Sequence, residues 1–187
     1  SLAGTLGANG AVLPMCDEPV RTQVRARGRA WPLQRFLIEA GGEGPVEGVE
    51  LDGIVEARPT AEVLDALAGA RAIIVGPSNP VISIGPILAV PGLRDAVSAA
   101  DAPVVAVSPL VRGQVLKGPT AVFMESAGLS VDSEGIGAAY AGLIDGLLAD
   151  DPTGAVAFRQ ADVLMADAAG RRRVAEEALL FVEALAG

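Results

Sequence analysis

The sequence predicts an α/β fold with a mainly parallel sheet flanked by helices, and three observations carry that prediction. Segments of strand character alternate with segments of helical character, the pattern of strands joined by crossover helices. Two continuous apolar runs, Ala72-Ile73-Ile74-Val75 and Val104-Val105-Ala106-Val107, have the composition of strands covered on both faces, as in a parallel sheet. Apolar residues make up 51% of the chain but aromatic ones only 3%, so the core is expected to be close-packed from Ala, Val, Leu and Ile. At 187 residues the chain is long enough for one domain with a sizeable core.

Ala11 to Met15 and Thr22 to Ala26 read as short strands flanking a polar turn, Cys16-Asp17-Glu18-Pro19. Leu33 to Ala40 reads as a helix bounded by Pro32 and the Gly41-Gly42 pair, and Val46 to Leu51 as a strand. Thr60 to Ala68 is a helix on better grounds: Thr60 is a capping residue, Glu62 lies in the first turn, and Val63, Leu64 and Leu67 share a face. After the run at Ile73 comes a helix from Gly92 to Ala100, then the run at Val104. Helical spacing returns over Thr120 to Ala127 and Ser133 to Ile144. Leu147 to Ala149 and Val163 to Met165 are expected as short strands, and Ala168 to Leu185 as a long amphipathic final helix. No internal repeat or low-complexity linker interrupts this order.

Composition narrows the chemistry. The single Cys16 excludes an internal disulfide and a cysteine-based zinc cage. No His is present, which removes the commonest general base, the Ser-His and Cys-His pairs, and most transition-metal sites. What remains is carboxylates, hydroxyls, Lys, Arg, backbone amides, or a hard metal such as Mg²⁺. The net charge of −9 argues against a nucleic-acid partner, which needs a positive surface. Arg171-Arg172-Arg173 is the one basic cluster and reads as a solvated helix face. No apolar run is long enough to span a membrane and the start lacks a signal-peptide layout, so the expected location is cytoplasmic.

Ligands of open α/β sheets bind beyond the carboxyl ends of the strands, and two loops stand out by that rule. The first runs Gly76-Pro77-Ser78-Asn79-Pro80-Val81-Ile82-Ser83-Ile84-Gly85-Pro86. Glycine lets a ligand approach the backbone and proline fixes the loop's shape. Ser78, Asn79 and Ser83 supply polar groups, with Ser83 a potential helix cap favouring an anion. Local chemistry leaves two readings open: a ligand loop, or a rigid turn whose polar groups satisfy its own backbone. The second loop, Ser108 to Pro119, holds Lys117, the one lysine among 14 basic residues. A compact ammonium suits point contact with a phosphate. The turn Asp17-Glu18 reads either as a solvated turn or as a ligand contact or general base. Cys16, Tyr140 and Asp145 read as structural.

Several of these segments together resemble one family. Val12-Leu13-Pro14-Met15-Cys16-Asp17-Glu18-Pro19-Val20-Arg21-Thr22 is similar to an early segment of the 2-phospho-L-lactate transferase family. The Gly76 loop, with Ile87-Leu88 and Pro91-Gly92-Leu93, resembles that family's long central signature. Ala106-Val107-Ser108-Pro109 with Leu116-Lys117-Gly118-Pro119, and Tyr140 with Ile144-Asp145-Gly146, match two later segments in order and spacing. The resemblance runs from about Ala11 to the C-terminus.

The resemblance implies a Rossmann-like sheet and a transferase of coenzyme F(420) biosynthesis. Such enzymes move a phospholactyl or phosphoenolpyruvyl group from a guanosine-diphosphate-linked donor to the deazaflavin Fo, with release of GMP and assistance from Mg²⁺. It implies donor binding by Gly76, Pro77, Ser78, Asn79 and Ser83, a diphosphate contact from Lys117, and Asp17 as a lesser candidate for the donor or Fo pocket. The expected partners are small molecules, with a homodimer as one option for assembly. The sequence departs from the family twice. Cys16 stands where Ser or Thr is usual, and the family's N-terminal half, with its Gly-rich nucleotide loop and acidic metal ligands, is not in the sequence. Residues 1–187 are therefore expected to form a single α/β domain or the C-terminal part of the transferase, with Mg²⁺ ligands outside it.

Two alternatives remain beside that reading. A non-enzymatic nucleotide-sugar-binding regulator of the same superfamily would usually carry Gly-Pro-Gly-Ser in the loop, where this chain has Ser78-Asn79-Pro80. An unrelated α/β binding domain would leave Asn79 and Lys117 without ligands.

Overall fold

A computed structural model describes residues 10–115 and 118–187. The elements come in the order β1 (Arg21–Ala26), β2 (Arg29–Pro32), α1 (Leu33–Glu39), β3 (Val46–Asp52), α2 (Ala61–Ala68) and β4 (Ile73–Val75). A π-helical turn (Pro80–Ile84) leads into α3 (Gly85–Leu88) and α4 (Leu93–Ser98). Then come β5 (Val104–Val107), α5 (Thr120–Ser126), α6 (Ser133–Ala139), β6 (Gly146–Ala149), β7 (Ala157–Gln160) and α7 (Ala168–Ala186).

The parallel sheet is four-stranded, in the order β4-β5-β6-β7. β5 and β6 are buried at every residue, as their unbroken apolar sequences require of strands covered on both faces. Val105, Val107 and Leu148 face α7, meeting Val174, Ala178, Phe181 and Val182. Ala106, Leu147 and Ala149 face the other way, against Met124, Ile136 and Tyr140. Gly146 is what lets α7 lie so close: a Cβ there would sit 2.6 Å from the Phe181 ring.

The run at Ile73 behaves differently from the expectation of burial on both sides. β4 is an edge strand, and Ile74 is 41% exposed. An apolar run alone does not distinguish a central strand from the edge of the same sheet.

A second, antiparallel sheet of three strands in the order β2-β1-β3 is not apparent in the sequence. Its hairpin turn is Arg27-Gly28, with both residues at positive φ (55° and 69°), the geometry that matches the twist of paired strands. Arg in that position carries no turn signal, so nothing local marks β2. The inner face of this sheet packs Val24, Ala26 and Trp31 against Phe36 and Phe123.

Two predicted strands are absent. Ala11 to Met15 is irregular and is held only at its end, where Cys16 makes an isolated bridge to Pro59 and the Thr60 hydroxyl donates to Pro14 O. Val163 to Met165 is also irregular, and the last strand lies earlier, over β7. Asp162 accepts from the Leu164 N–H at 3.0 Å, while Arg173 donates to the carbonyls of Asp162 and Leu164. A side chain thus takes the acceptors a strand partner would have used. The predicted helix from Ser133 ends at Ala139, well short of Ile144. Thr60 does cap α2, accepting from the Val63 N–H at 3.3 Å.

Candidate functional site

All four parallel strands end on one edge, and the Gly76 loop leaves from the end of β4. Gly76 and Pro77 are exposed. Ser78 N–H donates to Gly76 O at 2.8 Å across Pro77, a three-residue turn for which the fixed φ of proline is suited. Ser78 and Ser83 are half-buried, whereas Asn79 is 8% exposed.

Asn79 organises the turn from Pro80 to Gly85. Its Oδ1 accepts from Val81 N–H at 2.8 Å and Ile82 N–H at 3.1 Å. Its carbonyl accepts from Ile84 N–H, and the carbonyl of Pro80 from Gly85 N–H, the five-residue spacing of a π-helix. Gly85 is required by that closure, since a Cβ would lie 2.9 Å from Pro80 O. The sequence offers Ser83 as the helix cap. The structure gives that role to Asn79, and Ser83 lies inside the turn with its N–H on Asn79 O.

The amide end of Asn79 is the exception. Among the described residues, Asn79 Nδ2 is the one buried side-chain polar atom without a hydrogen-bond partner. Such a group costs on the order of 1–3 kcal/mol unless something accepts from it. Single π-turns themselves recur at functional sites. Packing holds this one firmly: Val81 and Ile82 dock on the antiparallel sheet's cluster, and Ile84 on the parallel sheet's.

The second loop begins at Ser108, which is buried and whose N–H donates to Leu148 O at 2.9 Å. Its hydroxyl accepts from Leu110 N–H at 3.1 Å, so it is occupied within the loop. Val111 and Gln114 exchange both backbone bonds around Arg112-Gly113, at φ 54° and 67°. This is a second tight hairpin turn of the β1–β2 type. Lys117 lies outside the described residues.

Asp17 is exposed, and its turn is anchored by its neighbours. Cys16 is buried among Ala57, Val90 and Leu93, with its thiol donating to Glu18 O at 3.5 Å. The Glu18 carboxylate accepts from Arg58 N–H at 3.2 Å. Backbone N–H groups hold its pKa below the ordinary carboxylate value. Burial likewise pushes the Cys16 thiol up, with the neighbouring carboxylates adding to the effect.

Tyr140 and Asp145 lie away from this edge. Asp145 joins β6 to β5 at their amino-terminal ends, accepting from Val104 N–H at 2.7 Å and returning its own N–H to Val104 O. Tyr140 is 2% exposed, and burial drives its phenol well above the ordinary value. A concavity of about 840 Å³ opens beside them, lined by Val97, Pro103, Val104, Asp145 and Leu185. It is at the wrong end of the strands for an α/β ligand site, and Asp145 is already engaged.

Sequence reasoning passes over the acidic pair Asp150-Asp151 directly after β6. Asp150 Oδ2 accepts from Arg112 N–H at 2.5 Å, which links the β5 and β6 loops. The available signal is an acidic pair immediately beyond the apolar run Leu147 to Ala149. Among the described residues no three acidic or Cys side chains gather as a metal cage. None of their helices is long and apolar enough to cross a membrane.

Residues 1–178 match the family described as 2-phospho-L-lactate transferase CofD. The chain belongs to this family. It is 35% identical over 184 residues to the 2-phospho-L-lactate transferase of Methanosarcina barkeri, covering 94% of this chain and 59% of that one. It is 36% identical over 186 residues to the phosphoenolpyruvate transferase of Kitasatospora aureofaciens, covering 92% and 58%. The chain thus spans about three-fifths of the length of these CofD relatives. A solved structure of a Bacillus halodurans protein shares the fold, at a TM-score of 0.56 and 19% identity over 99% of this chain and 55% of that one. A second structure of this UPF0052-family protein gives 0.53 and 20%, over 82% and 47%.

Proposed function

We propose that the full-length protein is a transferase of coenzyme F(420) biosynthesis. It moves a phospholactyl or phosphoenolpyruvyl group from a guanosine-diphosphate-linked donor to the deazaflavin Fo. The observation that carries this reading is Asn79 Nδ2, a buried donor without a partner in the family's signature loop, at the ligand-binding edge of the sheet. In the reaction, the terminal hydroxyl oxygen of the Fo ribityl chain bonds to the distal phosphorus of the donor. The bond from that phosphorus to the bridging oxygen breaks, its electron pair leaves with GMP, and the hydroxyl proton passes to a base.

Asn79 Nδ2 donates to a phosphate oxygen of the donor, and Gly76, Pro77, Ser78 and Ser83 shape the same wall. Lys117 contacts the diphosphate. Asp17 remains a candidate for the donor or Fo pocket. The rate advantage of such a site lies in positioning and in donors fixed where charge develops. Mg²⁺ belongs to the proposal as an added ion, and no role given to these residues depends on it. The setting proposed is cytoplasmic, with small molecules as substrates.

The relatives named for two different three-carbon groups support testing both donors. The full-length protein is supplied with Fo, Mg²⁺ and each guanylylated donor, and GMP and the deazaflavin product are measured. Release of GMP with one donor, reduced about a hundredfold by Asn79→Ala and by Lys117→Ala, is the expected result. No GMP from any donor overturns the proposal and favours a non-enzymatic nucleotide-sugar-binding regulator. Unchanged turnover in both variants removes the two loops from the site.

A further inference from the structure

We propose that Asp150 is a positioning residue, whose carboxylate ties the Arg112-Gly113 tip to the β6 edge and so fixes the wall of the ligand site formed by the β5 loop. The inference rests on reading that loop as part of the donor site.

Four observations converge on it. The tie is direct, from Arg112 N–H to Asp150 Oδ2 at 2.5 Å. Asp150 is itself fixed from the other side, because its carbonyl accepts from Gln160 Nε2 at 3.2 Å at the end of β7. Ser108 N–H on Leu148 O closes the base of the same loop. The ends of β5, β6 and β7 are therefore stitched together across the edge where an α/β sheet binds its ligands. Finally, the second carboxylate of the pair also lies against the tip: a Cβ on Gly113, which is at φ 67°, would lie 2.7 Å from Asp151 Oδ2.

The Arg112 backbone shows why a tether is needed. At φ 54° a non-glycine residue is held in the left-handed region, which costs about 1–2 kcal/mol. The two bonds of the hairpin turn work against that cost, and the carboxylate bond adds a charge-assisted contact from outside the turn. Arg112 is exposed and Asp150 half-buried, so the bond contributes little to the hydrophobic core. Its effect is on where the loop stands.

The test uses the full-length protein with Asp150→Ala, Asp150→Asn and Gly113→Ala. Asn keeps an oxygen that accepts from Arg112 N–H, whereas Ala does not. Hydrogen–deuterium exchange of the Arg112 amide is expected to quicken about tenfold in Asp150→Ala and to stay near wild type in Asp150→Asn. In parallel, Asp150→Ala and Gly113→Ala raise the donor KM about tenfold while kcat stays within about twofold, and Asp150→Asn restores the donor KM. Unchanged Arg112 exchange in Asp150→Ala overturns the tether. An unchanged donor KM in Asp150→Ala overturns its role in the site, and an Asp150→Asn variant as impaired as Ala replaces positioning with a direct role for the charge. If the wild-type protein releases no GMP, the transferase reading fails, and the exchange measurement still decides the tether.

Discussion

At the scale of single residues, Asn79 does two separable things. Its Oδ1 caps the π-turn, and its Nδ2, which has no partner among the described residues, is the donor that the proposed function gives to a phosphate oxygen. Asp has the same shape and keeps the acceptor but loses the donor. Asn79→Asp is therefore expected to lose most donor binding, since it sets a carboxylate against phosphate, and also to melt lower at neutral pH, since it buries an unpaired anionic oxygen where Nδ2 stood. Donor binding that stays near wild type in titration of the folded variant would mean that the residue is only a cap. Asp132 is the corresponding structural case. It caps α6 through Gly135 N–H at 2.8 Å and accepts from the Ser130 hydroxyl at 2.6 Å. The Ser130 hydroxyl, then the Gly135 N–H, holds its pKa below the ordinary value of 3.8. Its contribution is thus present above that value and is lost as pH falls through the lower folded-state pKa. In urea denaturation below about pH 4, wild type should lose stability faster than Asp132→Asn. Equal acid losses would show that the carboxylate's bonds contribute nothing.

At the scale of elements, the fully buried strands were legible because burial on two faces demands an unbroken apolar run, which Val104 to Val107 supplies. Thr60 and the α7 pattern were legible for equally local reasons. β2 was not, because Arg27 adopts positive φ without a residue type that announces it. The site divides in the same way. The Gly76 loop stood out by composition, but which residue caps depends on the π-turn, and no periodicity in so short a segment separates a π-turn from an α-turn. The Asp150 tie joins residues 38 positions apart and leaves no mark in either segment. Close approach between elements has a sharper test. Gly146→Ala pushes a Cβ into Phe181, and overpacking of this kind costs about 1–3 kcal/mol. Thermal melting should show α7 loosened by that amount, whereas an unchanged midpoint would mean that Phe181 moves aside freely.

At the scale of the whole molecule, the two sheets share no strand, yet they are not independent. Phe123 of α5 lies in the antiparallel sheet's cluster and Met124 in the parallel sheet's. The π-turn divides its side chains in the same way. Trp31, the only tryptophan, is buried in the smaller sheet, while α7 on the larger sheet dominates the helical signal. Fluorescence and far-ultraviolet circular dichroism should therefore report one coincident transition. Two separated midpoints would show that the joint is weaker than its packing implies. The joint also sets a rule about counting. A π-turn holds one residue more per turn than the α-helix it feeds, and each helical residue advances the chain by about 100°. Between Asn79 and Gly85 the number of residues is therefore fixed as firmly as the side chains that dock on the two sheets. Removing one residue would rotate Asn79 by about a quarter-turn relative to α3, taking Nδ2 off the sheet edge and separating Val81 and Ile82 from Ile84. The length of that short segment, together with the side chains that dock it, keeps the Gly76 loop and both sheets in phase.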